Sequence, residues 1–320
     1  MNVIAVLRQE QDGPLYRYAN PSTIITAPSI EHVPGALERV EHLVEHSGAT
    51  AIGFLSYEAA PAFDRALRVH PTSRYPLLLF ALYDTGREEV YPVPSVESVR
   101  LDWEPSISRD EYDNAIRQIK DHIASGDTYQ VNFTFPLTCE FRGNPLDLFL
   151  AMFHAQKSAQ YHCFLETDDF AICSASPELF FEKSGYDIIA RPMKGTAPRG
   201  KTGPEDAENA TTLKNSVKNR AENLMIVDMI RNDLGKVAQT GSVEVRSLFT
   251  TERYETLWQM TSEVVARSSA TVTDIFGALF PCASITGAPK PKTMEIISGL
   301  ERAPRGVYTG AIGIMRPGRS

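Results

Sequence analysis

The spacing of apolar residues divides the chain into two stretches of different character. Residues 1–105 carry short apolar runs separated by prolines, a pattern typical of strands joined by turns, apart from one helix predicted near 34–47. In residues 106–320, apolar positions at helical spacing alternate with strand-like runs. We therefore predict a strand-rich N-terminal region, 1–105, and a second region, 106–320, with the seam inside the segment 91–106.

The second region begins with a well-marked helix. Ser108 and Glu111 form a capping box, and apolar residues then recur at helical spacing as far as Gly126. Residues 128–135 alternate between apolar and polar side chains, which predicts a half-buried strand. Further helices are predicted from Asn144, over 213–231, from Thr273 and over 289–300, and strands near 161–166, 170–175, 178–183, 187–191, 243–249, 254–266 and 307–315.

The order of these elements indicates the fold class. Runs of strands with short connections favour antiparallel pairing, and strands followed by helices favour an α+β fold. The helix over 213–231 contains four consecutive apolar residues, Leu224 to Val227, so apolar groups point in nearly every direction around its axis. We therefore predict that this helix is buried.

Composition and charge narrow the class of protein. The chain has 320 residues, of which 42% are hydrophobic and 22% are charged, as in ordinary globular proteins. A formal net charge of −8 disfavours nucleic acid or an anionic membrane surface as a partner, and no apolar run is long enough to span a bilayer. These features predict a soluble cytoplasmic protein. The four cysteines show no CxxC spacing, which predicts buried free thiols.

Lys194 has the most distinctive surroundings of any residue in the chain. It lies in the segment RPMKGTAPRG, between Pro192, which fixes φ, and Gly195, which permits a ligand to approach the backbone closely. A primary amine held in such a bend is a candidate covalent nucleophile. Taken alone, a segment of this kind more often contains a solvated surface lysine.

Six motifs are spread over almost the whole chain. They are GFLSYEAAPAFD (53–64), GDTYQVNFT (126–134), SPELF (176–180), RPMKGTAPRG (191–200), NRAENLMIVDMIRNDLG (219–235) and SITGAPKPKTMEII (284–297). Together they resemble the motifs of the chorismate-utilising enzymes. Within that family the anthranilate synthases carry Ala where Lys194 stands, whereas the aminodeoxychorismate synthases carry Lys. The chain therefore most resembles component I of the latter, which implies an α+β fold of antiparallel sheets packed as a sandwich with helices outside.

The resemblance implies conversion of chorismate and ammonia to 4-amino-4-deoxychorismate, on the route to p-aminobenzoate and folate. Lys194 would add at C2 of chorismate as the C4 hydroxyl departs, and ammonia would then displace the lysine. That step requires a neutral amine, so we expect the site to lower the lysine pKa from ~10.4.

Glu178 matches the SPE(R/L)F position of the family and is followed by apolar residues. The resemblance implies a general acid that protonates the leaving hydroxyl, and the apolar neighbours predict a raised pKa. The alternative for the bare sequence is an exposed glutamate at the start of a strand.

Glu222 is the candidate ligand for Mg²⁺. It stands just before the apolar run of the predicted 213–231 helix, where an uncompensated carboxylate would be costly. Its place in the motif (D/E)RAE(N/H) implies a magnesium ligand that also holds a substrate carboxylate, and hard oxygen ligands suit this ion. The alternative is a surface ion pair with Lys218 or Arg220.

Several polar residues are candidates for binding the substrate. The turn before the Pro289 helix could present free backbone amides to an anion, although a Ser/Thr/Gly turn is also a common helix cap. The implied partner is a glutamine amidotransferase subunit that supplies the ammonia. The candidate substrate-binding residues are Gly195, Thr196, Gln259, Ser284, Thr286, Gly287 and Tyr308.

The chain departs from the family pattern at two places. Many relatives carry His where Gln259 stands, and glutamine cannot be protonated near pH 7, so a histidine-based proton transfer is not expected here. The resemblance also implies further strands after YTGAIG, with an arginine, a glycine-rich turn and a second magnesium glutamate, whereas the sequence ends at Ser320. We expect a fragment or a truncated form. The rival hypotheses are an anthranilate synthase component I and a truncated relative that binds the amidotransferase without turning over chorismate.

Overall fold

The computed structural model of the protein describes residues 2–10, 13–71, 74–96 and 99–320. The helix predicted after Ser108 is present and begins with the capping box that the sequence indicates. The α-helices are α1 (Val33–Ser47), α2 (Arg109–Ala124), α3 (Pro145–Ala155), α4 (Gly203–Asn215), α5 (Val217–Gly235), α6 (Val272–Leu279) and α7 (Lys290–Leu300), with 3-10 turns at Ile30–His32, Tyr57–Ala62 and Ala283–Ile285.

The strands of the described residues pair in antiparallel fashion. They are β1 (Ile4–Arg8), β2 (Leu15–Tyr18), β3 (Thr23–Ala27), β4 (Thr50–Leu55), β5 (Leu78–Tyr83), β6 (Glu89–Tyr91), β7 (Glu104–Pro105), β8 (Gln130–Val131), β9 (Leu137–Thr138), β10 (Tyr161–Glu166), β11 (Ala171–Ser176), β12 (Leu179–Ser184), β13 (Asp187–Arg191), β14 (Met193–Pro198), β15 (Glu244–Arg253), β16 (Leu257–Arg267), β17 (Gly287–Ala288) and β18 (Ala311–Met315). Sheet 1 has the order β11-β10-β1-β2-β6 and sheet 2 the order β18-β4-β5-β3. Sheet 3 has the order β12-β13-β16-β14, with β15 also paired to β16. Short two-stranded ladders join β17 to β8 and β7 to β9.

Sheets 1 and 2 pack face to face through alternate apolar residues. Ala5 and Leu7 of β1 contact the same buried cluster as Phe54 of β4 and Leu79 of β5. Because successive side chains of a strand point to opposite faces, Val6 lies on the other side of sheet 1, in a cluster with α3. Burying a side chain the size of Phe or Leu stabilises the fold by roughly 1.5–3 kcal/mol, so this interface contributes much of the stability.

A helical layer lies between sheet 2 and sheet 3. The outer face of sheet 2 packs against α1 and α6, and sheet 3 packs against α5 and α6. Helix α6 serves both sides, since Phe276 belongs to the first cluster and Ile275 to the second. The predicted α+β fold of packed antiparallel sheets and helices is confirmed. This layer places α5 directly against β14, the strand that carries Lys194.

The alternating segment 128–135 does not form the half-buried strand predicted from the sequence. Only Gln130–Val131 pairs, with Gly287–Ala288. Further along, the amide of Thr134 donates to Oε1 of Glu301 at 2.9 Å. A side chain therefore satisfies this backbone donor in place of a neighbouring strand, and the prediction was wrong for that reason.

Residues 213–231 form parts of two helices instead of one buried helix. Helix α4 ends at Asn215 and α5 begins at Val217. Helix α5 buries one face only: Ile226 is fully buried, whereas Leu224 is 44% exposed and lines an open groove. Successive helical residues turn by about 100°, so a run of apolar residues reaches beyond the face that contacts sheet 3.

The other predicted helices and strands are present, with ends that shift by a few residues. Strands from both sides of the predicted seam share sheets, because β1 pairs with β10 and β4 pairs with β18. The boundary at 105 stays a prediction, and Glu97 and Ser98 of the seam lie outside the described residues. Within the described ranges, no helix has the length and apolar composition needed to cross a bilayer.

Candidate active site

Lys194 lies at an irregularity in β14. This strand pairs with β16 on both sides of the lysine, but the register shifts between Met193 and Thr196. A bulge of this kind re-aims a side chain out of the regular ladder. Gly195 has a φ of 103°, and a Cβ at this position would lie 3.1 Å from the Cβ of Asn219 on α5. The glycine therefore allows α5 to approach the strand that presents the lysine.

A buried chain of hydrogen bonds fixes the backbone of Lys194. Nδ2 of Asn223 on α5 donates to the carbonyl oxygen of Lys194 at 3.2 Å. Oδ1 of Asn223 accepts from the hydroxyl of Ser262 at 2.5 Å, and Ser262 Oγ accepts from the amide of Phe249 at 3.2 Å. Asn223 and Ser262 are each 1% exposed, so water does not compete for these bonds. Neither residue was among those predicted from the sequence.

The amine of Lys194 is partly buried, and burial lowers its pKa below the ordinary value. The carboxyl groups of Glu178 and Glu222 and the thiol of Cys282 act in the opposite direction. A nucleophilic amine requires a lowered pKa of this kind. A lysine in bulk solvent would not show a lowered pKa.

The carboxyl group of Glu178 is held next to the lysine strand. Its Oε1 accepts from the hydroxyl of Ser284 at 2.7 Å and from the amide of Met193, the neighbour of Lys194, at 3.4 Å. Burial raises the pKa of Glu178, while these hydrogen bonds and the charge of Lys194 lower it. Burial thus shifts both groups toward their neutral forms, an arrangement that suits an acid and a nucleophile working as a pair.

Glu222 lies on α5, close enough to raise the pKa of Lys194. Its side chain is 39% exposed, and Oε1 is 3.9 Å from Nζ of Lys218, which is 83% exposed. Exposed pairs of this type contribute at most about 1 kcal/mol. The carboxylate is thus half-exposed and not buried as expected, and the ion pair with Lys218 that was considered as the alternative is present.

Glu222 is the candidate magnesium ligand on α5, and this assignment stays a prediction. In the described part of the chain, no group of three or more His, Cys, Asp or Glu side chains is arranged to hold a metal. Mg²⁺ is commonly bound by one or two carboxylates, with substrate oxygens and water completing its shell. A single, partly exposed carboxylate at Glu222 fits that pattern.

Thr196 and Gln259 face each other across β14 and β16, and the Thr196 hydroxyl donates to Oε1 of Gln259 at 2.9 Å. Thr196 is exposed and lies two positions after Lys194. The pair therefore offers polar groups on the open side of the strand that carries the lysine. Their predicted contact with substrate stays a prediction.

Thr286 and Gly287 shape the turn before α7. The Thr286 hydroxyl donates to the carbonyl oxygen of Cys282 at 3.1 Å, and its amide donates within the same turn. Gly287 has a φ of 145°, and a Cβ there would lie 1.9 Å from the carbonyl oxygen of Gln130. Of the three candidates in this turn, Ser284 is the one that donates a hydrogen bond to Glu178.

Tyr308, the last candidate for binding the substrate, is 63% exposed. It lines a cavity of about 480 Å³ together with Phe133, Thr134 and Arg305. Arg305 donates to the carbonyl oxygen of Ile285 at 2.9 Å, so this cavity adjoins the turn that carries Ser284. The structure thus groups Lys194, Glu178 and Ser284, and places Tyr308 in a separate cavity that adjoins the turn of Ser284.

Lys290 and Asp233 form a buried ion pair that the sequence did not indicate. Nζ of Lys290 lies 3.1 Å from Oδ2 of Asp233 and donates to the carbonyl oxygen of Leu279 at 3.0 Å. The two side chains are 13% and 12% exposed. The pair ties the start of α7 to the end of α5 and α6, and it therefore supports the elements around the site.

The four cysteines are free, as predicted, although only Cys163 is fully buried. Cys282 lies beside the site, with Sγ 3.1 Å from Oγ of Ser284. Burial, together with the charge of Glu178, raises the pKa of the Cys282 thiol to about 11. This thiol is therefore protonated at neutral pH.

Comparisons of sequence place the chain among known proteins. The profile of the chorismate binding enzymes matches residues 7–320. The chain is 42% identical over 226 residues to an aminodeoxychorismate synthase component 1 of Klebsiella aerogenes, which covers 70% of this chain and 50% of that protein. It is 38% identical over 231 residues to an anthranilate synthase component 1 of Haloarcula marismortui, and this match covers 72% of this chain and 46% of that protein. The chain spans about half the length of the curated relatives it matches.

Comparison of structures gives the same fold. The structure is similar to that of an anthranilate synthase component I from Streptococcus pneumoniae, with a TM-score of 0.78 and 24% sequence identity. The match covers 99% of this chain and 81% of the other.

Proposed function

The chain belongs to the family of chorismate binding enzymes, and we propose that it acts as component 1 of an aminodeoxychorismate synthase. The reaction is the conversion of chorismate and ammonia to 4-amino-4-deoxychorismate, which supplies p-aminobenzoate and folate synthesis. The observation that carries the proposal is the pairing of Lys194, an amine with a lowered pKa, with Glu178, a carboxyl with a raised pKa. The identity of 42% with a relative of that name supports the same assignment.

The proposed mechanism proceeds by two displacements. The neutral amine of Lys194 attacks C2 of chorismate, the ring double bond shifts, and the C4–O bond breaks. Glu178 gives its proton to the departing hydroxyl, which leaves as water. Ammonia then attacks C4, the bond between C2 and the lysine nitrogen breaks, and one proton from the incoming nitrogen returns to Glu178. Two moderate barriers replace one direct displacement of hydroxide.

We propose that Glu222 contributes a ligand to Mg²⁺, with oxygen atoms of the substrate and water as the others. When bound, the ion would neutralise a substrate carboxylate beside the partly buried site. Titration of the protein with Mg²⁺ in the presence of chorismate, monitored by calorimetry, tests this without turnover. We expect Glu222→Gln to abolish the binding heat, and unchanged binding would exclude this ligand.

We propose that a glutamine amidotransferase subunit supplies the ammonia. The relatives are named as component 1, which is in keeping with a second component. Free ammonium at high concentration should replace the partner in an assay. The assay with free ammonium therefore tests the chemistry of the site without the partner.

An anthranilate synthase is the second candidate, because a relative of that name is 38% identical over 231 residues. Lys194 disfavours it, since the resemblance assigns Ala to this position in that subfamily. Incubation with chorismate, Mg²⁺ and ammonium followed by mass spectrometry separates the candidates. We expect 4-amino-4-deoxychorismate. Anthranilate with pyruvate would establish the second candidate, and chorismate binding with no product would establish a non-catalytic relative.

Two variants make this assay specific for the site. Lys194→Ala should abolish product formation with ammonium, because it removes the nucleophile. Lys201→Ala is the matched control, since Lys201 is an exposed lysine seven positions further along the chain, directly after the RPMKGTAPRG segment. Its activity should equal that of the unmodified chain.

A further inference from the structure

The hydroxyl of Ser284 lies between two titratable groups. Its Oγ is 2.7 Å from Oε1 of Glu178 and 3.1 Å from Sγ of Cys282. The Ser284 side chain is 3% exposed, so bulk water does not compete for these contacts. A serine hydroxyl has one proton to donate and accepts through its remaining lone pairs. The two neighbours therefore decide in which direction the hydrogen bonds run.

Each neighbour can play only one part. Oε1 of Glu178 acts as an acceptor whether or not the carboxyl is protonated, because it also accepts from the amide of Met193 and a proton would lie on Oε2. Cys282 acts as the donor to Ser284, because burial and the charge of Glu178 raise its pKa to about 11. Lys194 is the cation that faces Glu178, and Lys290 is the cation that faces Cys282. The thiol proton of Cys282 thus points to Ser284, and the hydroxyl proton of Ser284 points to Glu178.

The amide of Met193 also donates to Oε1 of Glu178, at 3.4 Å. Oε1 therefore accepts two hydrogen bonds, and a proton taken up by this carboxyl belongs on the other oxygen, Oε2. We propose that Cys282 and Ser284 are positioning residues for Glu178. The series Cys282 Sγ–H, Ser284 Oγ–H, Glu178 Oε1 holds Oε1 as an acceptor and leaves Oε2 as the atom that delivers the proton. The identity of the group that receives this proton rests on the proposed function, whereas the hydrogen-bond series does not.

Alkylation of Cys282 by iodoacetamide tests the series without any turnover. Only the thiolate reacts, so the rate at pH 9 follows the thiol pKa. In the unmodified protein, the Ser284 hydroxyl donates its one proton to Oε1 of Glu178 at 2.7 Å, so it does not donate to the sulfur of Cys282 at the same time. Glu178→Gln removes the charge and weakens that hydrogen bond, because neutral acceptors form weaker hydrogen bonds. The freed hydroxyl can then turn to the sulfur of Cys282.

A double-mutant cycle of four proteins separates the hydrogen-bond effect through Ser284 from the direct effect of the Glu178 charge on Cys282. We expect Glu178→Gln to increase the rate about tenfold when Ser284 is present, which corresponds to about one pKa unit. In a Ser284→Ala background the same change should increase the rate about threefold or less, because only the loss of charge remains. Cys173 is the internal control, since its pKa is also raised to about 11 and its rate should stay constant. Equal acceleration in both backgrounds would overturn the proposal.

An activity measurement tests the positioning role. Ser284→Ala should lower kcat about tenfold, with KM for chorismate little changed, because proton delivery and not binding is affected. The basic limb of the kcat profile should move to higher pH, because loss of the hydrogen bond raises the pKa of Glu178. Cys282→Ser, which keeps a donor, should retain the original limb. A uniform loss of rate at every pH would overturn the positioning role, and absence of product from the unmodified chain would refute the proposed function alone.

Discussion

Replacing Asn223 by Ala removes the side chain that connects Lys194 to the core. Two hydrogen bonds are lost, from Nδ2 to the Lys194 carbonyl oxygen at 3.2 Å and from the Ser262 hydroxyl to Oδ1 at 2.5 Å. Both bonds are inaccessible to water, since Asn223 and Ser262 are each 1% exposed. A buried polar group left without a partner costs about 1–3 kcal/mol. Two such groups predict a loss of about 2–6 kcal/mol, which is a large part of the typical ~5–15 kcal/mol of a domain.

Urea denaturation followed by circular dichroism measures this loss as a change in the free energy of unfolding. The folded fraction of Asn223→Ala should also turn over more slowly, by about 100-fold, because small displacements of a reacting group have effects of that order. Asn209→Ala is the matched control: its Nδ2 donates to the carbonyl oxygen of Pro198 on the same strand, also at 3.2 Å, but at an exposed site. We expect the control to lose less than about 1 kcal/mol. Equal losses in the two variants would refute the reasoning.

Three further predictions concern the surroundings of the site and the core. Gly195→Ala should destabilise the protein by about 1–3 kcal/mol in the same urea assay, because φ is 103° at this position and the new Cβ would lie 3.1 Å from the side chain of Asn219. An unchanged free energy of unfolding would show that the bulge adjusts freely. His162 is 1% exposed, and burial, with the charge of Arg8, lowers its pKa to about 4. The unfolded chain takes up this proton near pH ~6.5, so the stabilisation is complete above that pH, and about 3 kcal/mol is lost as the pH falls to about 4. His162→Phe should lose correspondingly less over this range, and an identical pH dependence would contradict the assignment. Lys290→Met should cost about 1–3 kcal/mol, since it removes the buried cation from the Asp233 carboxylate and leaves Lys236, which is 56% exposed. Lys292→Met, at an exposed pair, should cost less than about 1 kcal/mol.

The elements with local signals could be predicted from the sequence. The capping box at Ser108 starts α2, and Asn144 caps α3, because such contacts involve residues only a few positions apart. Helix α4 was missed although Thr202 and Glu205 mark its start, since the helix is polar and only Leu213 is buried. The sequence thus contained a start signal for α4 without the apolar periodicity that usually accompanies it.

The contacts that hold the site could not be predicted, because they join distant parts of the chain. The hydroxyl of Ser284 reaches Glu178 across 106 positions, and Ser262 reaches Asn223 across 39. A serine that binds substrate and a serine that orients a carboxyl have the same appearance in a sequence. Motifs identified Lys194 and Glu178, and the fold determined how each is held.

The central claim is that the amine of Lys194 forms a transient bond to chorismate. The most direct test is peptide mass spectrometry of the full chain after incubation with chorismate and Mg²⁺ in the absence of ammonia, with an acid quench. The account predicts that the peptide carrying Lys194 gains the mass of chorismate less one water, that the peptide carrying Lys201 does not, and that added ammonium discharges the adduct. Formation of 4-amino-4-deoxychorismate at an undiminished rate by Lys194→Ala would contradict it.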